Sequence, residues 1–178
     1  MSGQMMFSPA MVSNLYTITC TSQVDPKQTL PAVPYTVPCE EVRRLRAKLT
    51  LEEAFEKIAG LGYCVNLVEN ENPLLPIIGY DPNDWDTAVE KVIDGCVDTI
   101  YVATGTLAAY GVPDMPHIIE VNRANDAKFP NGKATLRSDG KFQKPDGWVG
   151  PDHAKVRDCI DGRVNLHELG QIALQSRK

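Results

Sequence analysis

The chain has few of the residues that build soft-metal sites or disulfide frameworks. Its 178 residues include three histidines and five cysteines, and no two cysteines form a C-x-x-C pair. The histidines also lie far from the cysteines along the sequence, so a zinc site is not expected. An odd number of widely spread cysteines is typical of a reducing compartment, where buried thiols serve as small apolar residues. We therefore predict a cytoplasmic protein.

Positive charge and long apolar runs are also scarce. The 18 basic residues are outnumbered by 23 acidic ones, for a formal net charge of −5, whereas proteins that bind nucleic-acid backbones usually present a basic surface. No basic leader precedes a sustained apolar segment at the N-terminus, so we predict no signal peptide. Residues 99–113 carry no charge, but this run is too short and too interrupted by glycine to span a bilayer. We predict neither a nucleic-acid partner nor a membrane.

What the chain does contain is the pattern of one helical globular domain over residues 1–178. Hydrophobic residues make up 43% and charged residues 23%, which is typical of a soluble protein. Caps, proline positions and hydrophobic periodicity predict four main helices, at about 9–19, 38–59, 81–110 and 115–128. The fold class is therefore all-α, with a four-helix-bundle-type core at about 38–130.

The remaining segments are predicted as smaller elements around that core. Residues 63–80 contain prolines and glycines and are interpreted as a loop excursion, briefly extended near its start. Turn dipeptides predict a small two-stranded hairpin and a rigid loop over 131–151. Two short C-terminal helices are predicted within 152–176, at 152–160 and 165–176.

The third predicted helix, the longest one, has a continuous apolar face. After Asp98 it carries no charge, so we expect that part to be buried on all sides. Asp114, just after this helix, is expected to cap the fourth one. The apolar face consists of Val89, Ile93, Cys96, Ile100, Ala103 and Leu107.

Three acids lie close together on the second predicted helix. Glu52 and Glu56 fall on the same side as the leucines of that helix, and Glu53 lies on the flank. Carboxylates gathered on a packed surface are unstable as bare anions, so they must protonate, pair with a base or hold a cation. An ion pair of Lys48 with Glu52, four residues apart, is a strong alternative for that one residue.

A second acid set, Asp94 and Asp98, lies on the third predicted helix, opposite its apolar face. If the two helices pack antiparallel, the two sets can face each other. Carboxylate oxygens in a helical bundle suit Mg²⁺, with Mn²⁺ as a substitute, rather than zinc or copper. Either set alone could be a row of exposed acids paired to Lys or Arg. Because both sets are aligned with surfaces that face the core, we favour the metal site.

This pattern resembles a known family. E-E-x-x-E followed on a second helix by an acid pair ending in Asp is the metal signature of the all-α nucleoside triphosphate pyrophosphohydrolases, the MazG–HisE superfamily. Four segments, taken together, resemble its phage members in the same order, and the resemblance covers about residues 43–151. These segments are 43–56, 94–102 together with 105–111, 121–128 and 144–148.

The resemblance implies metal ligands at Glu53, Glu56 and Asp98. Glu52 would be either a further ligand or the catalytic base that orients a water molecule. The usual family pattern would put a glutamate at position 95, where this chain has Gly95. Asp94, one residue earlier and one methylene shorter, is the substitute ligand.

The resemblance also implies substrate-binding residues in the second half of the chain. Asn122 and Asn125 can donate amide hydrogen bonds, and Lys128 can pair with a phosphate. Capping of the helix end is an equal alternative for the asparagines. Lys144 stands beside Trp148, which would either stack on a base or plug the bundle.

The implied activity is Mg²⁺-dependent hydrolysis of a nucleoside triphosphate to the monophosphate and pyrophosphate, by a homodimer or homotetramer. The chain also resembles the phage MazZ branch, which implies stepwise hydrolysis of dGTP and dGDP to dGMP for the synthesis of 2-aminoadenine nucleotides, in the host cytoplasm. Phosphoribosyl-ATP is a third possible substrate. A non-catalytic helical interaction module is the alternative from another class, and Gly95 is the feature that favours it.

Overall fold

Five α-helices make up most of what the computed structural model describes, residues 6–66, 77–80 and 89–160. Their packing confirms the predicted all-α, bundle-type architecture. The start predicted near residue 81 for the third helix and the second C-terminal helix lie outside the described residues. The helices are α1 Pro9–Thr21, α2 Glu40–Gly60, α3 Val89–Ala109, α4 Asp114–Asp126 and α5 His153–Ile160.

The start of α1 shows how local sequence sets a helix end. Ser8 is the N-cap, and its Oγ accepts a hydrogen bond from the backbone N–H of Met11 at 3.1 Å. Pro9 follows in the first helical position, where its missing N–H costs nothing. The predicted start of this helix is therefore confirmed by its cap.

The core forms where α1, α3 and α5 meet. α3 is the central helix and packs against both α1 and α2. Its buried side consists of small residues, including Gly95, Gly105 and Ala108, which let the neighbouring backbones approach closely. The buried apolar cluster consists of Met11, Leu15, Ile18, Leu30, Ala108 and Ile160.

The predicted loop excursion over residues 63–80 contains two short strands where the structure describes it, so the extension predicted near its start is confirmed in part and the second strand was not predicted. β1 (Tyr63–Asn66) pairs antiparallel with β2 (Ile77–Tyr80), with Tyr63 opposite Tyr80 and Asn66 opposite Ile77. The prolines lie in the part between the strands and so do not interrupt the pairing. Residues 67–76 lie outside the described part.

The predicted hairpin after α4 is smaller than expected. The chain reverses there, and the backbone N–H of Arg137 donates to the carbonyl of Lys141 at 2.8 Å. However, only Leu136 and Phe142 form a β-bridge. Most side chains of this segment are exposed, so little packing is available to extend the pairing into strands.

The predicted burial of the apolar face of α3 is also wrong for this single chain. Val89 is 68% exposed, and Ile93 and Ile100 are each 56% exposed. The buried side is instead the opposite one, which contacts α1 and α2. By length and composition alone α3 could also cross a membrane, a property that core helices of soluble proteins share.

Asp114 does not act as the predicted cap. It is the first residue of α4, whose N-cap is Pro113, and its side chain is fully buried. Its Oδ1 accepts the backbone N–H of Ser8 at 3.0 Å and that of Met115 at 2.9 Å. Asp114 therefore ties the start of α4 to the start of α1.

Candidate functional site

The acids of α2 and α3 come close to one another because the two helices run antiparallel in a fixed register. A Cβ added at Gly95 would meet Lys57, and one added at Gly105 would meet Nη1 of Arg46 at 2.8 Å. Residues nearer the C-terminus of α2 therefore lie beside residues nearer the N-terminus of α3, so the two helices are antiparallel. Glu53 and Asp98 lie seven residues from the Arg46–Gly105 contact, each on its own helix, which places them at the same level.

Gly95 is a point of closest approach between these helices. An added Cβ would lie 2.8 Å from the Cα and 2.9 Å from the Cβ of Lys57, distances that real Cβ atoms essentially never show. A glutamate at this position would force α2 and α3 apart. The departure from the family pattern therefore has a packing reason, and the ligand implied at position 95 has no room here.

The electrostatics of the groove agree with this placement. Burial, followed by the negative charges of Asp98, Glu56, Glu52 and Asp94, raises the pKa of Glu53 above its usual value. Asp98 has the largest effect among the charges, as expected for the residue at the same level. The two acid sets thus form one negatively charged site, the acid groove, which is the arrangement expected from the sequence.

The oxygen ligands of the acid groove match the chemistry of Mg²⁺ but do not converge on one point. Glu53 and Asp98 are half-buried, whereas Glu56 and Asp94 are exposed. Over 6–66, 77–80 and 89–160, no three His, Cys, Asp or Glu side chains are arranged to hold a metal ion. Carboxylates are nevertheless the ligands that Mg²⁺ prefers, and a cation would relieve the repulsion that raises the pKa of Glu53.

Glu52 lies at the edge of the acid groove. Its Oε1 is 3.4 Å from Nζ of Lys48, in an ion pair whose side chains are 45% and 71% exposed. The predicted pair between these two residues is confirmed. An exposed pair of this kind is weak, so Glu52 can exchange Lys48 for another partner.

Arg46 is a charged residue of the α2–α3 interface that the sequence analysis did not single out. It lies seven residues before Glu53, on the same side of α2, and this spacing was the available signal. Its Nε is buried without a hydrogen-bond partner. Burial lowers the pKa of Arg46, with a smaller opposing effect of Tyr101.

Four of the predicted substrate-binding residues form a separate cluster. Nζ of Lys128 donates to Oδ1 of Asn125 at 2.8 Å, and Lys144 places its Nζ 4.2 Å from the centre of a Trp148 ring. The indole N–H of Trp148 donates to the carbonyl of Ala124 at 2.7 Å. In the described part of the chain, no hydrogen bond or ion pair joins this cluster to the acid groove.

Trp148 therefore fixes the loop before α5 onto α4. With its N–H bonded and a lysine over its ring, the side chain fits the predicted plug better than a free stacking surface. Next to it, Glu120 accepts from Arg123 and from the backbone N–H of Asp152, each at 2.8 Å. These two hydrogen bonds lower the pKa of Glu120 to about 2.

Asn122, the fifth predicted substrate-binding residue, instead lines a cavity of about 610 Å³ between α4 and α5. At its rim, two histidines and Tyr35 form a hydrogen-bonded chain that was not predicted from the sequence. Tyr35 Oη is 3.0 Å from Nε2 of His117, whose Nδ1 is 3.0 Å from Nδ1 of His153. No sequence signal joins these residues, since they come from three separate segments.

Gly111 determines where Tyr35 lies. It has a φ of +69°, and a Cβ added there would lie 2.9 Å from Cγ of Pro31. The segment before α2 therefore packs directly on the turn after α3, and the backbone N–H of Thr36 donates to the carbonyl of Tyr110 at 3.1 Å. This contact brings Tyr35 to the cavity rim.

The electrostatics of the cavity differ from those of the acid groove. Burial, followed by the proximity of His153, lowers the pKa of His117 below its usual value. Burial also raises the pKa of Tyr35, against a smaller effect of Arg157. Burial therefore favours the neutral form of both His117 and Tyr35.

Comparison with known proteins adds no relative. No protein-family model matches the chain, and no curated protein matches it. The resemblance to the MazG–HisE superfamily therefore stays a prediction from the motifs.

Proposed function

We propose that the chain is a Mg²⁺-dependent nucleoside triphosphate pyrophosphohydrolase. The observation that carries this proposal is the acid groove, where burial and then the neighbouring carboxylates raise the pKa of Glu53. Glu53, Glu56, Asp94 and Asp98 are the residues that would hold the ion. When bound, Mg²⁺ would neutralise phosphate charge and activate a water molecule.

The chain's own residues supply the remaining chemistry of the proposed reaction. Glu52, whose partner Lys48 is weakly held, or Glu53, whose pKa is raised, takes the proton of the attacking water. The water oxygen bonds to the α-phosphorus, and the bond to the α,β-bridging oxygen breaks. The products are the nucleoside monophosphate and pyrophosphate.

The phosphate tail requires cations near the groove. Arg46 lies on the side of α2 that carries Glu53, and its Nε has no partner. Lys128 and Lys144 are the other candidates, beside Trp148. Because that cluster makes no bond to the acid groove within one described chain, we propose that it acts in a homo-oligomer.

The exposed face of α3 supports self-association. Val89, Ile93, Val97 and Ile100 are each more than half exposed, and the helix carries no charge after Asp98. A continuous apolar face of this kind usually marks an interface. Light scattering should give a dimer or tetramer, and Ile100→Glu should shift the mass toward the monomer.

The activity test uses purified protein with each of the eight common nucleoside triphosphates and Mg²⁺ or Mn²⁺. We expect turnover of at least one of them, with dGTP or GTP as the first candidates from the resemblance. Asp98→Asn and Glu53→Gln should reduce turnover by at least about a hundredfold. Glu90→Gln, in the exposed first turn of α3, is the matched acidic control and should retain it.

The products separate the enzyme alternatives. Monophosphate and pyrophosphate support the pyrophosphohydrolase, whereas diphosphate followed by monophosphate supports stepwise MazZ-like hydrolysis of dGTP. Phosphoribosyl-ATP is assayed in parallel.

A non-catalytic interaction module is the second candidate, because position 95 cannot carry a ligand. Absence of turnover with every nucleotide, together with equal Mg²⁺ binding by wild type and Glu53→Gln, would establish that alternative.

A further inference from the structure

The walls of the cavity between α4 and α5 are mainly aliphatic. Leu107 comes from α3, Val112 follows that helix, and Ile118 and Val121 lie on α4. Ile118 and Val121 are still 40% and 37% exposed, so apolar surface remains accessible from outside. The volume of about 610 Å³ is within the range of small-molecule sites. The cavity can therefore hold the apolar part of a ligand.

Arg157, on α5, also lines this cavity and gives it a positive charge. Its guanidinium is close enough to Tyr35 to oppose, as a smaller effect, the rise in pKa that burial causes there. Within the described residues it pairs with Asp158 at 3.4 Å, and the two side chains are 55% and 70% exposed. A pair this exposed is weak, so the guanidinium can exchange Asp158 for the anionic group of a ligand.

Asp114, the acidic residue of the lining, does not neutralise that charge for a ligand. It is fully buried, and its Oδ1 accepts the backbone N–H groups of Ser8 and Met115. A side chain without exposed surface offers a ligand no contact, and in the described part of the chain Asp114 forms no ion pair with Arg157. The accessible charge of the cavity is therefore positive, and protonation of a rim histidine would only add to it.

We propose that this cavity binds an aliphatic monocarboxylate, with the carboxylate at the guanidinium of Arg157 and the hydrocarbon chain against the aliphatic walls. An arginine can hold a carboxylate through two parallel N–H···O hydrogen bonds. One negative charge matches one accessible arginine, whereas a phosphate monoester carries close to two and would require further donors. The site is separate from the acid groove, and the proposal does not require that the chain hydrolyse nucleotides.

Octanoate and octanamide test the proposal as a matched pair, because they have the same chain and nearly the same shape but only octanoate is charged. Protein-observed NMR titration at neutral pH should give octanoate an affinity about tenfold higher than that of octanamide, the gain from charge-assisted hydrogen bonds to a partly exposed arginine. Arg157→Gln should remove this preference and leave the octanamide affinity unchanged. Lys155→Gln, on the same helix but outside the cavity lining, is the matched control and should keep the preference.

A second pair of variants tests the hydrocarbon part of the site. Ala154 lines the cavity and is exposed, so Ala154→Trp should fill the space and block both probes. Lys155→Trp, at the exposed next position outside the lining, is the matched control and should leave both affinities unchanged. Equal affinities of wild type for octanoate and octanamide, no binding of either, or binding that survives Ala154→Trp would each overturn the proposal.

Octyl phosphate tests the choice of the carboxylate. It should bind more weakly than octanoate, since a single arginine leaves part of its charge without a partner. Tighter binding of octyl phosphate would overturn the assignment to a carboxylate.

A second copy of the chain is the rival occupant of the cavity, and light scattering separates it from a small molecule. Ala154→Trp should leave the mass of the protein unchanged while octanoate binding is lost. A lower mass for Ala154→Trp, with no octanoate binding by wild type, would assign the cavity to an interface between copies and overturn the proposal.

Discussion

The acid groove and the α4–α5 cavity differ in the electrostatic environment that they give their ionisable side chains. The groove gathers carboxylates that repel one another and raise the pKa of Glu53. At the rim of the cavity, burial lowers the pKa of His117 and raises that of Tyr35, so it favours the neutral form of both groups. The groove is therefore the proposed cation site, whereas the cavity is lined mainly by apolar side chains. The two regions can be separated by experiments that alter one and leave the other.

The largest expected effect concerns the packing that holds the groove together. Gly95→Leu places a side chain where even a Cβ would lie 2.8 Å from Cα of Lys57, so it should lower the free energy of unfolding by about 3 kcal/mol. Urea unfolding measures this change. Cys96→Ala, at the exposed neighbouring position, should stay within about 0.5 kcal/mol of wild type. A Gly95→Leu protein as stable as wild type would contradict the close approach.

Mg²⁺ should stabilise the groove and leave the cavity unchanged. At a concentration about a hundredfold above its Kd, the ion should raise the free energy of unfolding by about 2.7 kcal/mol. Asp98→Asn should remove most of this gain, because Asp98 is the charge that acts most strongly on Glu53.

Thermal unfolding with and without Mg²⁺ provides the measurement. Glu90→Gln, an acid in the first turn of α3, is the control and should keep the full gain. Equal responses of the Asp98 and Glu90 variants would show that the groove is not the metal site.

The cavity should lose stability in acid through His117. Its folded pKa is lowered from the usual 6.5, so the unfolded chain binds more protons as the pH falls through 6.5 toward the lowered value. Stability should therefore decrease over this window, by at most about 1.4 kcal/mol per pH unit for one proton. The contribution of His117 to the free energy of unfolding should be fully present above pH 6.5.

Urea unfolding at several pH values between 7.5 and 5 measures this dependence. His117→Gln should remove its contribution. Glu53 contributes with the opposite sign, since its raised pKa favours the folded state in acid, so the comparison of variants isolates the cavity. If the free energy of unfolding of His117→Gln still depends on pH in this window, a group other than His117 is responsible.

The smallest expected effect is at the edge of the groove. Lys48→Gln breaks an exposed ion pair with Glu52 and should cost at most about 0.5 kcal/mol. Arg44→Gln, which removes the exposed pair with Glu40 outside the groove, is the matched control. A loss above 2 kcal/mol for Lys48→Gln would mean that Glu52 depends on this partner.

The two regions also differ in how far the sequence predicted them. The acids of the groove lie on two helices whose periodicity is strong, so the residues and their shared surface could be read from spacing. The cavity joins Tyr35, Asp114, His117 and His153, which come from separate segments. Their meeting depends on the turn at Gly111 and on the docking of α5, and no local pattern encodes either.

Errors in the sequence prediction have similar causes. The apolar stripe of α3 was assigned to the core because periodicity reveals an apolar face but not what covers it. The strand Ile77–Tyr80 was not predicted because the prolines just before it in the sequence favour a loop. Asp114 was given a capping role because its position before the helix matched a local rule, whereas a contact with Ser8 buried it.

The sequence by itself determined the helices, the all-α fold class and the two acid sets, because caps, proline and periodicity act over a few residues. Only the tertiary structure decided that Gly95 is a contact point, that the open side of α3 is its apolar one, and that Asp114 has an acceptor without a partner. Those features depend on how closely two helices approach and on which distant segments meet. Packing distances of this kind arise only after the elements have assembled.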